Sequence, residues 1–200
     1  MDVHSWDERF SAGELPYGTE PNAFLVEQAA AIPPGPVLCL AEGYGRNALW
    51  LAAQGHTVTA VEQSSVGIAR GRELAVQRGV SVTFVQADLA DYEMGEGTWS
   101  GIISIFAHLP PELRASVNAR VTRALAPGGA YVLEAYSPAQ LKYRTGGPKD
   151  VTLLITRDAL VRELDGLEFE IAREIERDVA EEPLHKGMSA VVQLVARKPR

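Results

Sequence analysis

Three carboxylates stand just beyond successive apolar runs: Glu42 after Val37-Leu38-Cys39-Leu40-Ala41, Glu62 after Thr57-Val58-Thr59-Ala60-Val61, and Asp88 shortly after Ser81-Val82-Thr83-Phe84-Val85. Glu42 is followed at once by Gly43 and Gly45, then by a helix-like segment over 46–54 that stops at Gly55. An apolar run, a glycine turn and a helix start are the setting in which a parallel α/β sheet holds a nucleotide-like ligand. The backbone approaches closely at glycine, and the helix N-terminus offers free N–H groups. Two kinds of cofactor fit that turn. Gly43, Gly45 and Ala48 have the spacing of a dinucleotide fingerprint, and Glu62 is placed for a ribose diol, as in an NAD(P)-dependent oxidoreductase. Glu42 speaks against this, because an acid there repels a pyrophosphate, whereas it accepts a bond from an ammonium group. A cofactor with a positive end, a ribose for Glu62 and an adenine amino group for Asp88 uses all three acids.

Other side chains offer proton transfer or cover. His108, in Phe106-Ala107-His108-Leu109-Pro110, follows the fourth apolar run. With the ordinary imidazole pKa of about 6.5 it suits proton transfer at neutral pH; the competing reading is that it caps or packs beside the next helix. Trp6, Arg9 and Tyr17 fold over the cofactor as a lid or simply pack. Lys142, Tyr143 and Arg144 cover a substrate or form a solvated loop. Cys39 lies inside an apolar strand and is read as inert. His4, His56 and His185 show no metal-ligand spacing, so no metal is expected. The acids Glu168, Glu170, Glu174, Glu176 and Asp178 read as the solvated face of a strand.

The elements that must position these groups follow from periodicity. A short amphipathic helix over 5–10 places Trp6 and Phe10 on one face. A helix from Pro21, preceded by Thr19 or Glu20, runs to Ala31 and ends at Pro33-Pro34-Gly35-Pro36. Strands over 37–41, 57–61, 81–85 and 100–106 alternate with helices over 46–54 and 64–78, the latter stopped by Gly79. The fourth run is apolar throughout and is expected to be central. A helix opened by Pro110-Pro111 carries Leu113, Val117, Val121 and Leu125 on one face and closes at Pro127-Gly128-Gly129, before a fifth strand over 130–135. A short helix over 156–164 precedes two long strands, 168–179 and 189–197, expected to form an antiparallel hairpin on the sheet edge. The pattern predicts one domain, with residues 1–34 as a helical cap or lid and 35–200 as an α/β core. The core is a Rossmann-like, seven-stranded, mostly parallel sheet with helices on both faces and a C-terminal antiparallel hairpin.

A formal charge of −7 argues against a nucleic-acid partner. One cysteine, no signal-peptide pattern and no apolar run of membrane-spanning length lead to the expectation of a cytoplasmic protein without membrane association, as a monomer.

Taken in order, these motifs resemble the class I S-adenosylmethionine-dependent methyltransferases. Residues 37–45 are similar to that family's first motif, Glu62 to its ribose-binding acid, Ala87-Asp88-Leu89 to its adenine-binding motif, and Leu125-Ala126-Pro127-Gly128-Gly129 to the turn before its fifth strand. Trp6-Asp7-Glu8-Arg9-Phe10, Tyr17-Gly18-Thr19-Glu20-Pro21-Asn22 and Gly45-Arg46-Asn47 resemble the tellurite-resistance and thiopurine methyltransferase-like branch. The chain departs from the family at Cys39, Ala41 and Glu42, where Asp, Gly and often Cys are common. Ala41 keeps the close backbone approach if its φ is negative. The resemblance implies S-adenosylmethionine as cofactor, bound by Ala41, Glu42, Gly43, Gly45, Arg46, Asn47, Glu62, Gln63, Asp88, Leu89 and Phe106. It also implies in-line transfer of the methyl to a small-molecule acceptor, a soft S, Se or Te centre or an amine, with His108 as the base. The motifs of nucleobase amino-group methylases (Asn/Asp-Pro-Pro-aromatic) and of cytosine C5 chemistry (Pro-Cys) are absent. A non-catalytic S-adenosylmethionine-binding module is the remaining alternative.

Overall fold

The computed structural model describes residues 3–11, 13, 15–181 and 185–200. Seven strands, β1 (Pro36–Leu40), β2 (Thr57–Glu62), β3 (Val82–Gln86), β4 (Trp99–Ile105), β5 (Leu125–Tyr136), β6 (Glu168–Glu181) and β7 (His185–Arg197), form one sheet in the order β3-β2-β1-β4-β5-β7-β6. The pairs among β1 to β5 are parallel; β7 runs antiparallel to both β5 and β6. The hairpin expected from the two long C-terminal runs forms, and its second strand is the inner one.

The helices are α1 (Val3–Ser11), α2 (Ala23–Gln28), α3 (Arg46–Ala53), α4 (Ser65–Arg78), α5 (Pro111–Ala124) and α6 (Arg157–Glu163). One sheet face, with Val37, Cys39, Ala60 and Ile103, packs against Leu25 of α2, Leu49 of α3 and Ile68 of α4. The other, with Leu38, Leu40, Ile102 and Leu133, packs against Val117 and Val121 of α5 and Leu160 of α6. β1 and β4 are buried on both faces, which is why their sequences are predominantly apolar rather than alternating. On the edge strand β6, the acids at 168, 170, 174, 176 and 178 are exposed. The Cys39 thiol is fully buried, and burial holds its pKa well above the ordinary value.

Local differences from the sequence reading have identifiable causes. The helix expected from Pro21 to Ala31 starts at Ala23, because Asn22 is its cap: the Asn22 side chain accepts from the Leu25 N–H at 2.9 Å, and the last turn, 29–31, is a tighter 3-10 turn. α5 ends at Ala124, and Pro127-Gly128-Gly129 lies within β5 rather than before it. Trp99 pairs with Leu125 and Gly101 with Ala130, so four residues of β5 oppose one of β4 in a bulge that Gly128, at φ +78°, accommodates.

A polar cluster is sealed beneath the N-terminal segment. The Asn22 amide donates to Glu134 and Glu181, each at 2.6 Å; Arg177 donates twice to Glu134, at 2.8 and 2.6 Å; Gln193 donates to Glu134 at 2.7 Å; and Arg46 pairs with Glu181. Two carboxylates face two guanidiniums, and Asn22 spans both acids. An isosteric Asn22→Asp change replaces the bridging donor with a third carboxyl. That carboxyl would have a folded pKa above its unfolded value, so its contribution to stability is lost as pH rises. Urea unfolding should show a loss of about 3 to 5 kcal/mol at pH 8 and a smaller loss at pH 5; equal losses at both pH values would contradict this account.

Candidate functional site

β1 and β4 are neighbours, but the chain leaves β1 for α3 on one face and β4 for α5 on the other. This is the switch point where α/β sheets bind ligands. A cleft of about 360 Å³ opens there, at the small end of the usual range for ligand sites, roughly 300–1,000 Å³. Its floor is strained. Ala41, after β1, has φ +48° and Phe106, after β4, has φ +52°; they are the two non-glycine residues with positive φ among those described. The sequence left the sign of φ at Ala41 open; in the structure it is positive, the left-handed conformation that glycine takes easily. Flanking backbone bonds hold both turns, from Glu42 N–H to Val61 O at 3.1 Å and from Phe106 N–H to Glu134 O at 2.7 Å.

The three acids all line the cleft. Oε1 of Glu42 accepts the Asn47 and Ala48 N–H groups at 2.9 and 2.8 Å, so its carboxylate occupies the N-terminus of α3. Burial pushes this carboxyl up to about 7, against the opposing pull of those bonds and of Arg46. Glu62 is buried at the end of β2 and accepts from Gly43 N–H and Ser64 N–H, each at 2.8 Å. Its pKa is also raised, first by burial. Asp88 is exposed and accepts from Ala90 N–H at 2.8 Å, with Gln63 and Leu89 beside it on the cleft wall.

The glycines serve partners that the spacing did not reveal. A Cβ on Gly43 would lie 3.1 Å from the Phe10 ring, and one on Gly67 3.0 Å from it, so Phe10 of α1 is seated between these two turns. Gly45, at φ +84°, is the N-cap of α3; its missing Cβ makes room for Phe84, 2.9 Å away, and Gly45 does not line the cleft. Arg46 and Asn47 border the cleft, but their side chains fasten the N-terminal segment. Arg46 donates to Glu20 O at 3.0 Å and pairs with Glu181, and Asn47 Oδ1 accepts the Asn22 N–H at 2.9 Å.

Trp6, Arg9 and Tyr17 also line the cleft, together with Phe10 and Tyr44. Trp6 stacks on Phe10 at 5.6 Å, and Phe10 meets Tyr44 edge-on at 5.8 Å. The Arg9 guanidinium lies 5.0 Å over the Trp6 ring and donates to the Tyr17 hydroxyl at 2.8 Å. The Tyr44 hydroxyl receives the Tyr17 N–H and donates to Gly18 O. Phe10 and Tyr44 were missed as site residues; the available signal was an aromatic lodged between two glycines, in Gly43-Tyr44-Gly45.

Past Phe106 the wall is His108, Leu109, Pro110 and Leu113, with Pro148 and Leu153 from the chain after β5. Nδ1 of His108 lies 3.0 Å from Leu153 O, and since a carbonyl only accepts, Nδ1 carries the proton. Nε2 is therefore the lone-pair nitrogen. It is shielded from water and has no hydrogen-bond partner, although the ring as a whole is partly exposed. Burial lowers the imidazole pKa to about 4, which corrects the ordinary value assumed from sequence: the ring is neutral at pH 7. It does not cap α5, whose N-cap is Pro110. Lys142, Tyr143 and Arg144 are not among the lining residues. Tyr143 instead hydrogen-bonds Glu176 on β6, which raises its pKa. No group of three or more His, Cys, Asp or Glu gathers as a metal site among the described residues, where the His185 side chain is not included, and none of their helices is long and apolar enough to cross a membrane.

A family model described as a methyltransferase domain matches residues 37–129. A 2-heptyl-1-hydroxyquinolin-4(1H)-one methyltransferase of Mycobacteroides abscessus is 31% identical over 131 residues, 64% of this chain, and the chain spans 57% of that relative's length. Among solved structures, one from work on the conversion of a disulfide bond into a thioacetal group during echinomycin biosynthesis superposes with a TM-score of 0.78 at 20% identity, over 99% of this chain and 90% of that one. TehB from Haemophilus influenzae gives 0.73 at 19%, over 98% and 66%. The cyclase SpnF gives 0.69 at 18%, over 98% and 92%. The structural likenesses establish the fold.

The strain at Ala41 has a measurable consequence. The left-handed conformation costs roughly 1–2 kcal/mol for a non-glycine residue, and glycine adds back about 0.5–1 kcal/mol of chain entropy. Ala41→Gly should therefore stabilise the fold by ~0.5 to 1 kcal/mol in thermal unfolding; a lower midpoint would show that the φ at 41 carries no strain.

Proposed function

We propose that this chain, whose residues 37–129 match a methyltransferase-domain family model, is a class I S-adenosylmethionine-dependent methyltransferase that transfers the cofactor's methyl to a small-molecule acceptor by in-line displacement. The observation that carries this reading is the occupant of the α3 N-terminus. A dinucleotide's pyrophosphate would sit on those N–H groups, but Glu42 already takes two of them at 2.9 and 2.8 Å. A second anion would meet a buried carboxylate there, whereas an ammonium group finds a partner. The cleft therefore favours S-adenosylmethionine over a nicotinamide dinucleotide.

In this reading Ala41 and Gly43 let the cofactor pass close to the backbone, with Glu42 facing its ammonium end. Glu62 holds the ribose diol, and Gln63, Asp88 and Leu89 frame the adenine. Gly45, Arg46 and Asn47 position the turn and the N-terminal segment rather than contacting the ligand. Trp6, Arg9 and Tyr17 cover the methionine end, where the Arg9 guanidinium is the cation available to a carboxylate. S-adenosylmethionine, when bound, supplies a methyl already activated on a sulfonium, so the protein's work is alignment, exclusion of water and removal of one proton. Phe106 holds the acceptor side of the cleft, and Nε2 of His108 receives the proton. The relative from Mycobacteroides abscessus, by its name, methylates a small molecule, which supports an acceptor of that size. The soft S, Se or Te centres and amines suggested by sequence remain within this statement.

Two measurements test it. Titration calorimetry should show S-adenosylmethionine binding at least ~10-fold weakened by Asp88→Ala, the loss of one good hydrogen bond to the ligand, and labelled methyl should appear on a small product in a cell extract. Asp88 is the cleaner site to vary, because Glu62 also holds the Gly43 and Ser64 amides. Binding of NAD with none of S-adenosylmethionine would overturn the assignment. Glu42 gives a second test. Its carboxyl sits at about 7 in the free protein, and a cationic ligand beside it favours the ionised form. Binding should therefore release a proton below pH 7 and tighten as pH rises from 6 to 8, with the slope abolished in Glu42→Gln. A slope that persists in that variant would remove Glu42 from the ammonium site.

A further inference from the structure

The acceptor end of the cleft differs in chemistry from the cofactor end. The charged side chains lining the cleft are Arg9 from α1, Glu42 and Arg46 after β1, Glu62 at the end of β2, and Asp88 after β3; the lining segments after β4 and β5 contribute none. Both lining cations have partners: Arg9 lies over Trp6 and bonds Tyr17, and Arg46 pairs with Glu181. At the acceptor end stand Phe106, Leu109, Pro110, Leu113 and Leu153, and in their midst the neutral His108. Its ring is stacked 11° from parallel on Tyr136 at 5.6 Å and 28° from Phe106 at 6.4 Å, and Leu153 O anchors Nδ1. The imidazole plane is thus fixed, and Nε2 is a lone pair without a partner.

Resting on the methyl-transfer reading above, we propose that the acceptor is an uncharged aromatic ring compound methylated on a ring hydroxyl, with Nε2 of His108 taking the hydroxyl proton. The apolar wall suits a flat ring, and the unpartnered nitrogen suits one donor on it. An oxyanion such as selenite, or a carboxylate, would lose its water in a place that offers no cation. In the transfer, the O–CH₃ bond forms as the S–CH₃ bond breaks, the bond pair stays on sulfur as a neutral thioether, and the O–H proton passes to Nε2. The positive charge therefore moves from sulfonium to imidazolium, and the proton leaves to water with the product.

The weakness of this base selects the nucleophile. With a pKa of about 4, His108 cannot strip the proton from an incoming alkylammonium, whose pKa resembles that of lysine at about 10 and which has no lone pair for attack until that proton is gone. A hydroxyl being methylated becomes a strongly acidic oxonium as the C–O bond forms, and a weak base suffices. A phenolic hydroxyl, with an ordinary pKa of about 10, also arrives uncharged.

The test uses the full chain with labelled S-adenosylmethionine and four acceptors: 1-naphthol, 1-naphthylmethylamine, 1-naphthoate and selenite. Label should enter 1-naphthol at least ~10-fold faster than the others. His108→Gln should lower kcat for naphthol by about 100-fold with its KM little changed, the loss of a general base. Cofactor binding measured alongside separates the failures. If S-adenosylmethionine binds and label enters the amine, the carboxylate or selenite preferentially, or none of the four, the acceptor class is overturned. The same follows if His108→Gln raises KM and spares kcat. If S-adenosylmethionine does not bind, the methyl-transfer reading falls and this inference with it.

Discussion

The buried cluster around Asn22 is the constraint on which the remaining structure depends. Glu134 lies on β5, Gln193 on β7, Arg177 and Glu181 on β6, Arg46 on α3, and Asn22 caps α2. These groups gain little as isolated ion pairs, since desolvation offsets much of the attraction. Their effect is on geometry: a charge sealed from water admits few arrangements, and the partners come from five different elements. The cluster thereby fixes how the N-terminal segment, the first helix after the glycine turn and the C-terminal hairpin meet.

On that frame the cleft uses backbone more than side chains. The ends of β1 and β4 turn through left-handed residues that are neither glycine nor asparagine, and Glu42 fills a helix N-terminus that most nucleotide sites leave open. Each departure stores free energy where a ligand binds, and each is held by a neighbouring strand, at Val61 O and Glu134 O. One end of the cleft is rich in carboxylates, while the other is apolar around one neutral imidazole.

Much of this was legible in the chain. Strands, helices and their alternation followed from periodicity, and the central place of β4 from its predominantly apolar character. The acids at 42, 62 and 88 were conspicuous because each follows a strand. What could not be read depends on contacts between distant residues. Gly43 lines the cleft and Gly45 does not, and the space beside each is taken by an aromatic from a distant part of the chain, Phe10 and Phe84. Arg46 and Asn47 line the cleft as the turn suggested, and their partners Glu181 and Asn22 are far away in sequence. The basicity of His108 is set by burial and by a carbonyl 45 residues away, and no local pattern encodes either. The order of β6 and β7 was open because either strand could have paired with β5; in the fold, Gln193 on β7 satisfies Glu134 directly.

Glu134 joins two parts of the molecule that have so far been treated apart. Its side chain is the centre of the sealed cluster, and its carbonyl holds the amide of Phe106 on the cleft wall. The partners of that side chain, Arg177 and Gln193, follow it by 43 and 59 residues in the chain. A nascent chain that has emerged only as far as β5 holds every motif recognisable in its sequence. It still lacks the groups that let Glu134 be buried, so completion of the cleft waits on the hairpin.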